Sequence, residues 1–224
     1  MKRCLKQGVV LATKIVAHLL LGLAIRHRER LPQSGPAILV ANHNSHLDAL
    51  VLMSLFPLAM APQLRPVANA EYFLHQNRCL TWFARQVLDI IPVAGTQCAS
   101  GIAVTPDSGP CPKHHRAFLA QCAEALAQGQ IVILFPEGSR GYPEQISPLQ
   151  SGIAHLAKRH PLVPIIPITL TNLGKALPKG DPLLVPFVCG AVVGEPLVWN
   201  GDKLAFLDTL AATFHTLATE FSSN

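Results

Sequence analysis

The sequence predicts an α/β domain: a mixed, largely parallel sheet flanked by helices, with a membrane-associating helix at its N-terminus. Short unbroken apolar runs, "AILVA" (37–41) and "QIVILF" (130–135), are of the kind buried on both faces of a parallel sheet. Stretches with apolar residues at helical spacing stand between such runs, and the alternation is that of strand–helix units. The 17 residues from Val9 to Ile25 are apolar apart from Thr13, Lys14 and His18, and cations flank them on both sides.

The chain has 224 residues, half of them hydrophobic, which is enough to bury a substantial core. Its charge is unevenly placed. Residues 1–30 hold seven cations (Lys2, Arg3, Lys6, Lys14, Arg26, Arg28 and Arg30) against Glu29 alone, leaving the remainder close to neutral. That remainder has no basic face interleaved with aromatics, so nucleic acid is not an expected partner. Six cysteines, at 4, 79, 98, 111, 122 and 189, show no C-x-x-C pair or regular spacing, which fits free thiols in a reducing compartment.

The first element is a basic amphipathic segment, residues 1–30. Lys14 and His18 form one polar stripe on a helix, continued backwards by Gln7. The opposite face would enter an anionic lipid surface while Lys and Arg reach headgroups. Spanning is marginal at this length. A cleaved signal peptide and an ordinary buried first helix are competing readings, the former weakened by Lys14 and by the charged "RHRER" that follows. The main domain, residues 31–224, comes next. "LPQSGP" (31–36) is a loop, 37–41 a strand, and 47–56 a helix stopped by Pro57. Strands at 65–69 and 89–93 bracket a helix over 78–88, and the Gly/Ser/Pro-rich stretch 94–112 is a long loop. Residues 113–128 are helical up to Gly129, 130–135 is the clearest strand, and 152–159 is a helix. Strands at 163–170 and 186–194 precede a closing helix, 202–221, that Asp202 can cap.

Two polar clusters share one topological position. "NHNSHLD" follows the strand 37–41 and "PEGSRG" follows the strand 130–135. If those strands are parallel neighbours, both clusters lie at the carboxyl-end edge, where open α/β sheets place their ligands. Asp48 can fold back onto His43 and fix its tautomer, making a base able to deprotonate a hydroxyl. His43, His46 and Asp48 could instead ligate a metal, but a third well-placed donor is missing downstream. Ser45 is a candidate helix cap and His46 a surface or supporting residue. In "FPEGSRG", Gly138 and Gly141 allow close backbone approach. Arg140 offers a planar fork for an anion, and Glu137 can anchor a hydroxyl or hold that Arg. A simple turn with a surface salt bridge is the competing reading.

"NHNSHLD", "FPEGSRG" and then "VPIIPI", in this order, make the chain resemble the glycerolipid acyltransferase family, whose best-known members are 1-acylglycerol-3-phosphate acyltransferases. The resemblance covers about residues 30–200 and rests on N-H-x4-D (the HX4D motif), F-P-E-G-[ST]-R and a Val/Pro-rich fourth block. It implies an O-acyltransferase of phospholipid biosynthesis with His43 as general base and Asp48 as its orienting partner. Glu137, Gly138, Ser139 and Arg140 would bind the acceptor, and Pro164, Ile165, Ile166 and Pro167 would line the acyl-donor pocket. It further implies a lysophospholipid acceptor, acyl-CoA or acyl carrier protein as co-substrate, and no metal or bound cofactor. The implied location is the inner or cytoplasmic membrane, peripheral or monotopic, with the catalytic domain facing the cytoplasm.

Two positions depart from the family pattern. Its second block reads like I-P-[VI]-x-R, whereas here Ile91-Pro92-Val93-Ala94-Gly95 puts glycine in place of the arginine. Many members carry a lysine after the third block, where this chain has Leu149-Gln150-Ser151-Gly152. Two cations expected at an acceptor phosphate are thus replaced, with Lys113 or Arg116 as candidate substitutes. The alternatives are an acceptor lacking a phosphate monoester, or a catalytically idle lipid-binding relative.

Overall fold

A computed structural model describes residues 2–69, 78–93, 112–139, 141, 145–177 and 185–222. The strands are β1 (Ala24–Arg26), β2 (Ala37–Ala41), β3 (Leu64–Asn69), β4 (Ile91–Val93), β5 (Ile131–Leu134), β6 (Ile165–Thr171) and β7 (Gly190–Val193). They form one sheet in the order β1-β7-β6-β2-β5-β3-β4. From β6 through β2, β5 and β3 to β4 every pairing is parallel; β7 runs antiparallel to β6 and parallel to β1. The helices are α1 (Lys2–Leu19), α2 (Asp48–Ser54), α3 (Arg78–Phe83), α4 (Pro112–Ala127), α5 (Gly152–Arg159), α6 (Leu173–Ala176) and α7 (Lys203–Ser222). Short 3-10 turns cover Arg28–Arg30 and Leu58–Gln63, and α3 runs directly into a π-helical turn, Ala84–Leu88.

The apolar runs are buried on both faces because the sheet has a core on each side. Side chains alternate along a strand. Ala37, Leu39 and Ala41 of β2 therefore join Ile131 and Ile133 of β5 in a core with Val10, Ala17, Leu52 and Phe56. Ile38 and Val40 join Val132 and Leu134 in the opposite core, with Phe118, Cys122, Leu156, Phe206 and Phe214. The register Ile38↔Val132, Leu39↔Ile133 and Ile38↔Ile165 puts β2 between β5 and β6, so the carboxyl ends of all three strands meet at one edge.

The N-terminal segment departs most from expectation. The helix begins at Lys2 and ends at Leu19. Gly22 then adopts a left-handed φ of 49°, and residues 24–26 become the edge strand β1 beside β7. Of the polar stripe, Gln7 and Lys14 face the protein, joined by Lys6, while His18 is exposed. Lys6 is buried and its Nζ donates to the Leu64 carbonyl at 2.6 Å, Gln7 donates to Leu58 O, and Lys14 reaches Phe56 O at 3.4 Å. Arg28 donates to Leu55 O and Arg30 pairs with Glu195 at 2.8 Å. Lys14 and Arg28 thus serve the carbonyls left open beyond the C-terminus of α2 rather than lipid headgroups. The apolar side is what points outward: Leu5, Leu11, Ile15, Leu19 and Leu20 are exposed. Among the described residues no helix is long and apolar enough to cross a membrane. Elsewhere Asp202 caps α7 as expected, its Oδ1 accepting the Ala205 N–H at 2.7 Å.

Burial lowers the Lys6 ammonium from 10.5 to about 8, only partly opposed by the Asp89 charge. Between about pH 8 and the ordinary lysine value the unfolded chain binds the extra proton, so Lys6 makes stability rise with pH. Burial raises the Cys122 thiol from 9.0 to about 12, so above pH 9 the folded state holds the extra proton and stability falls. Urea unfolding should therefore show a rising limb between about pH 8 and 9 that Lys6→Met removes. An equal limb in that variant would show that Lys6 is not its source.

Candidate active site

The site is built at the carboxyl edge of β2 and β5. β2 ends at Ala41, and Asn42 locks the exit: its side-chain amide donates to Leu170 O at 2.9 Å and accepts from Leu170 N at 2.7 Å, as a strand residue would. His43 follows, and the chain turns through Asn44 and Ser45 into α2. The apolar face of α2, Val51 to Met53, is buried in the core.

Asp48 stands in the first turn of α2 with no exposed surface. Its Oδ2 accepts three N–H donors: His43 Nδ1 at 2.8 Å, Asn44 N at 2.7 Å and Ser45 N at 2.8 Å. Oδ1 has no hydrogen-bond partner among the described residues. All the observed binding therefore converges on the oxygen that faces the imidazole, and a carboxylate at a helix start is also favoured by the helix dipole. With Nδ1–H donated to Asp48, the lone pair of His43 is on Nε2. The His43 side chain retains 23% of its exposure, enough for a reactant to approach. Phe135, at the exit of β5, stacks on the ring with centroids 4.2 Å apart and an interplanar angle of 21°.

The second loop meets the first through backbone hydrogen bonds. Glu137 is buried, with Oε1 accepting the His43 N–H at 2.8 Å and Oε2 accepting the Ser147 N–H at 2.9 Å. The Gly141 N–H donates to His43 O at 3.0 Å. Gly138 turns the loop at φ +76°, where a Cβ would come 3.2 Å from Gln150 Cγ. Gly138 and Ser139 are exposed at this edge.

His43, Asp48, Glu137, Gly138 and Ser139 are thus brought together, while Arg140 and Gly95 lie outside the described residues. Pro164–Pro167 are not brought here. Ile165 pairs with Ile38 and Pro167 with Val40, so they lie toward the amino end of β6, and Ile165 and Ile166 are buried in opposite cores. Ile165 is level with the residue four positions before Asn42, about 13 Å along the strand. Ser45 does not act as the cap residue of α2. Its hydroxyl accepts from Leu47 N and donates to Leu177 O, tying the loop to the segment after α6. His46 is exposed. Among the described residues no three His, Cys, Asp or Glu side chains converge. Sequence reasoning missed Asn42 and Phe135. Both flank the polar clusters directly, and an amide and a ring at strand exits were the available signals.

A buried carboxylate bonded to a partly exposed imidazole, at the carboxyl edge of an open α/β sheet, is an arrangement chemically able to assist the attack of a hydroxyl. The acyltransferase family model matches residues 22–171, well over half of the chain and including both loops; the chain belongs to that family. A chloroplastic 1-acyl-sn-glycerol-3-phosphate acyltransferase of Brassica napus is 29% identical over 158 residues, 70% of this chain and 39% of the relative. The 1-acyl-sn-glycerol-3-phosphate acyltransferase alpha of Homo sapiens is 25% identical over 206 residues, 89% of this chain and 65% of the relative. The chain therefore spans less than two thirds of the length of either. The crystal structure of the 1-acyl-sn-glycerophosphate acyltransferase PlsC from Thermotoga maritima superposes with a TM-score of 0.73 at 18% identity, covering 97% of this chain and 80% of that one. At that identity the likeness is one of fold.

Replacing Asp48 by Ala removes the acceptor of three buried or half-buried donors at once. The expected cost is about 3 kcal/mol of unfolding free energy in a denaturant titration. A change below about 0.5 kcal/mol would mean that the carboxylate does not organise the loop.

Proposed function

We propose that the protein transfers a fatty acyl group from acyl-CoA or acyl carrier protein to a hydroxyl of a lysophospholipid, 1-acylglycerol-3-phosphate-like, in phospholipid biosynthesis. The observation that carries this reading is the 2.8 Å bond from His43 Nδ1 to Asp48 Oδ2, which leaves the lone pair on Nε2 of a partly exposed ring and so supports a base role. His43 Nε2 takes the acceptor hydroxyl proton as that oxygen attacks the thioester carbonyl. The new C–O bond forms, the tetrahedral intermediate collapses, the C–S bond breaks, and the imidazolium returns its proton to the leaving thiolate. Asp48 holds the ring and stabilises its cationic form while that proton resides there. No covalent enzyme intermediate is needed. Relatives named as 1-acyl-sn-glycerol-3-phosphate acyltransferases support the acceptor class.

A second reading of the acceptor follows from Gly95 and from Gln150, whose side chain lies against Gly138 where family resemblance leads one to expect a lysine. With neither cation present, an acceptor without a phosphate monoester would lose less, because charge-assisted bonds to phosphate are strong. Incubating purified protein with an acyl-CoA and a mixed lysolipid pool, then identifying products by mass spectrometry, tests both. Diacyl products are expected from wild type. His43→Ala should lose on the order of 10²–10⁴-fold in rate while keeping its fold, and a normal rate in that variant sinks the mechanism. Clear preference for lysophosphatidate over zwitterionic or uncharged lysolipids eliminates the second acceptor reading.

We further propose that the protein works at a lipid surface, the inner or cytoplasmic membrane, bound peripherally or monotopically and facing the cytoplasm. The outward apolar stripe of α1, Leu5, Leu11, Ile15 and Leu19, supports this. Phe187 and Val188 are also exposed on the segment that bonds to Leu21 O through Cys189 N. Deleting α1 would strip Val10 and Ala17 from the core, so point changes are the better test. Ile15→Glu with Leu19→Glu should abolish co-flotation with anionic phospholipid vesicles without lowering thermal stability. Unchanged flotation would refute the role of this face.

A further inference from the structure

The loop after β5 grips His43 from more sides than acceptor binding requires. Phe135 lies flat against one face of the imidazole. Two residues on, the Glu137 carboxylate accepts the His43 backbone N–H through Oε1, and its Oε2 is bound to the Ser147 N–H. The Gly141 N–H then closes on the His43 carbonyl. The loop returns on itself through the Gly138 N–H to Phe135 O and the Gln150 N–H to Pro136 O, so these contacts belong to one folded unit. Asp48 holds Nδ1 from the other loop. Residue 43 is thereby fixed at its amide, its carbonyl, one ring edge and one ring face; among the described residues no such contact is made to Nε2 or the opposite face.

We propose that Phe135 and Glu137 are positioning residues for His43, which together with the Gly141 N–H clamp the base. This rests on the acyltransferase reading above. A free histidine ring rotates about two single bonds, and the Asp48 bond alone restrains only one nitrogen. A flat neighbour on the ring face removes the remaining swing, which matters because a base displaced by about 1 Å can lose on the order of a hundredfold in rate. Glu137 acts one step back. With each oxygen bound to a backbone N–H and the side chain buried, its carboxylate sets where His43 starts. Acceptor recognition then falls to groups at the rim, such as exposed Ser139.

The test combines steady-state kinetics with NMR of the ¹⁵N-labelled imidazoles, the His43 signal being identified by its absence in His43→Ala. Phe135→Leu removes the flat face with little change in volume, and Glu137→Gln keeps the shape but replaces one acceptor oxygen by a donor. Each should lower kcat about tenfold to a hundredfold with KM for both substrates within about twofold, and broaden or shift the His43 Nδ1–H resonance. Phe135→Tyr should recover most of the loss and the wild-type resonance. A raised acceptor KM with kcat intact in Glu137→Gln would make Glu137 a substrate-binding residue and overturn the clamp. Unchanged kcat together with an unchanged His43 resonance in Phe135→Leu would do the same. If wild type shows no acyl transfer, the function proposed above fails, and the resonance still decides whether the clamp exists. Should Glu137→Gln not fold, as judged by near-UV circular dichroism, the Phe135 pair carries the decision.

Discussion

Three N–H groups converge on one oxygen of Asp48, and the site depends on that convergence. A carboxylate with no exposed surface is costly to bury unless its charge is met by hydrogen bonds. Here two donors come from the backbone of the turn and one from the His43 side chain, so forming the turn and orienting the imidazole are one event. Asp48 is also the first residue of α2, whose apolar face lies in the core with Phe56 nearby. The position of Nε2 is therefore tied, through one helix, to the packing of the whole side of the sheet.

The same logic connects the second loop. β2 and β5 are parallel neighbours in register, which brings His43 and Glu137 to one edge although they are 94 positions apart in the chain. Parallel pairing puts the carboxyl ends of the strands at one edge, where backbone N–H groups of the exits run out of ladder partners. Asn42, Glu137 and Asp48 satisfy several of those groups with side-chain oxygens. The side chains of the two polar loops are in part the ones that complete the sheet edge.

At the other end of the chain, polarity and position part company. A helix with lysines on one stripe and leucines on the other would ordinarily bury the leucines. In α1 the lysine side packs inward, because Lys6 and Lys14 find carbonyl oxygens at Leu64 and Phe56, and the long methylene stems pack on the way. Lys6 still loses most of its hydration, which is why its ammonium titrates so low. The consequence is an apolar outer stripe on a protein whose family relatives are named for lipid substrates.

Much was legible in the residues themselves. The strand at 37–41, the strand expected over 130–135 and found at 131–134, the helix at 152–159 and the Asp202 cap followed from unbroken apolar runs, helical spacing and a capping residue, all of which are local. The His43–Asp48 contact was legible too, since five positions across a turn leave little freedom. The strand at 24–26 was not, because three residues pair only when β7 is beside them. Nor was the direction in which Lys6 and Lys14 point, which depends on carbonyls some forty to sixty positions away. Glu137 illustrates the division most clearly. Its sequence setting announces a functional carboxylate, yet only the tertiary structure decides that each oxygen accepts a backbone N–H, one of them belonging to His43. Local composition determined which elements and which chemistry this chain could have; long-range hydrogen bonding decided which atoms were left to act.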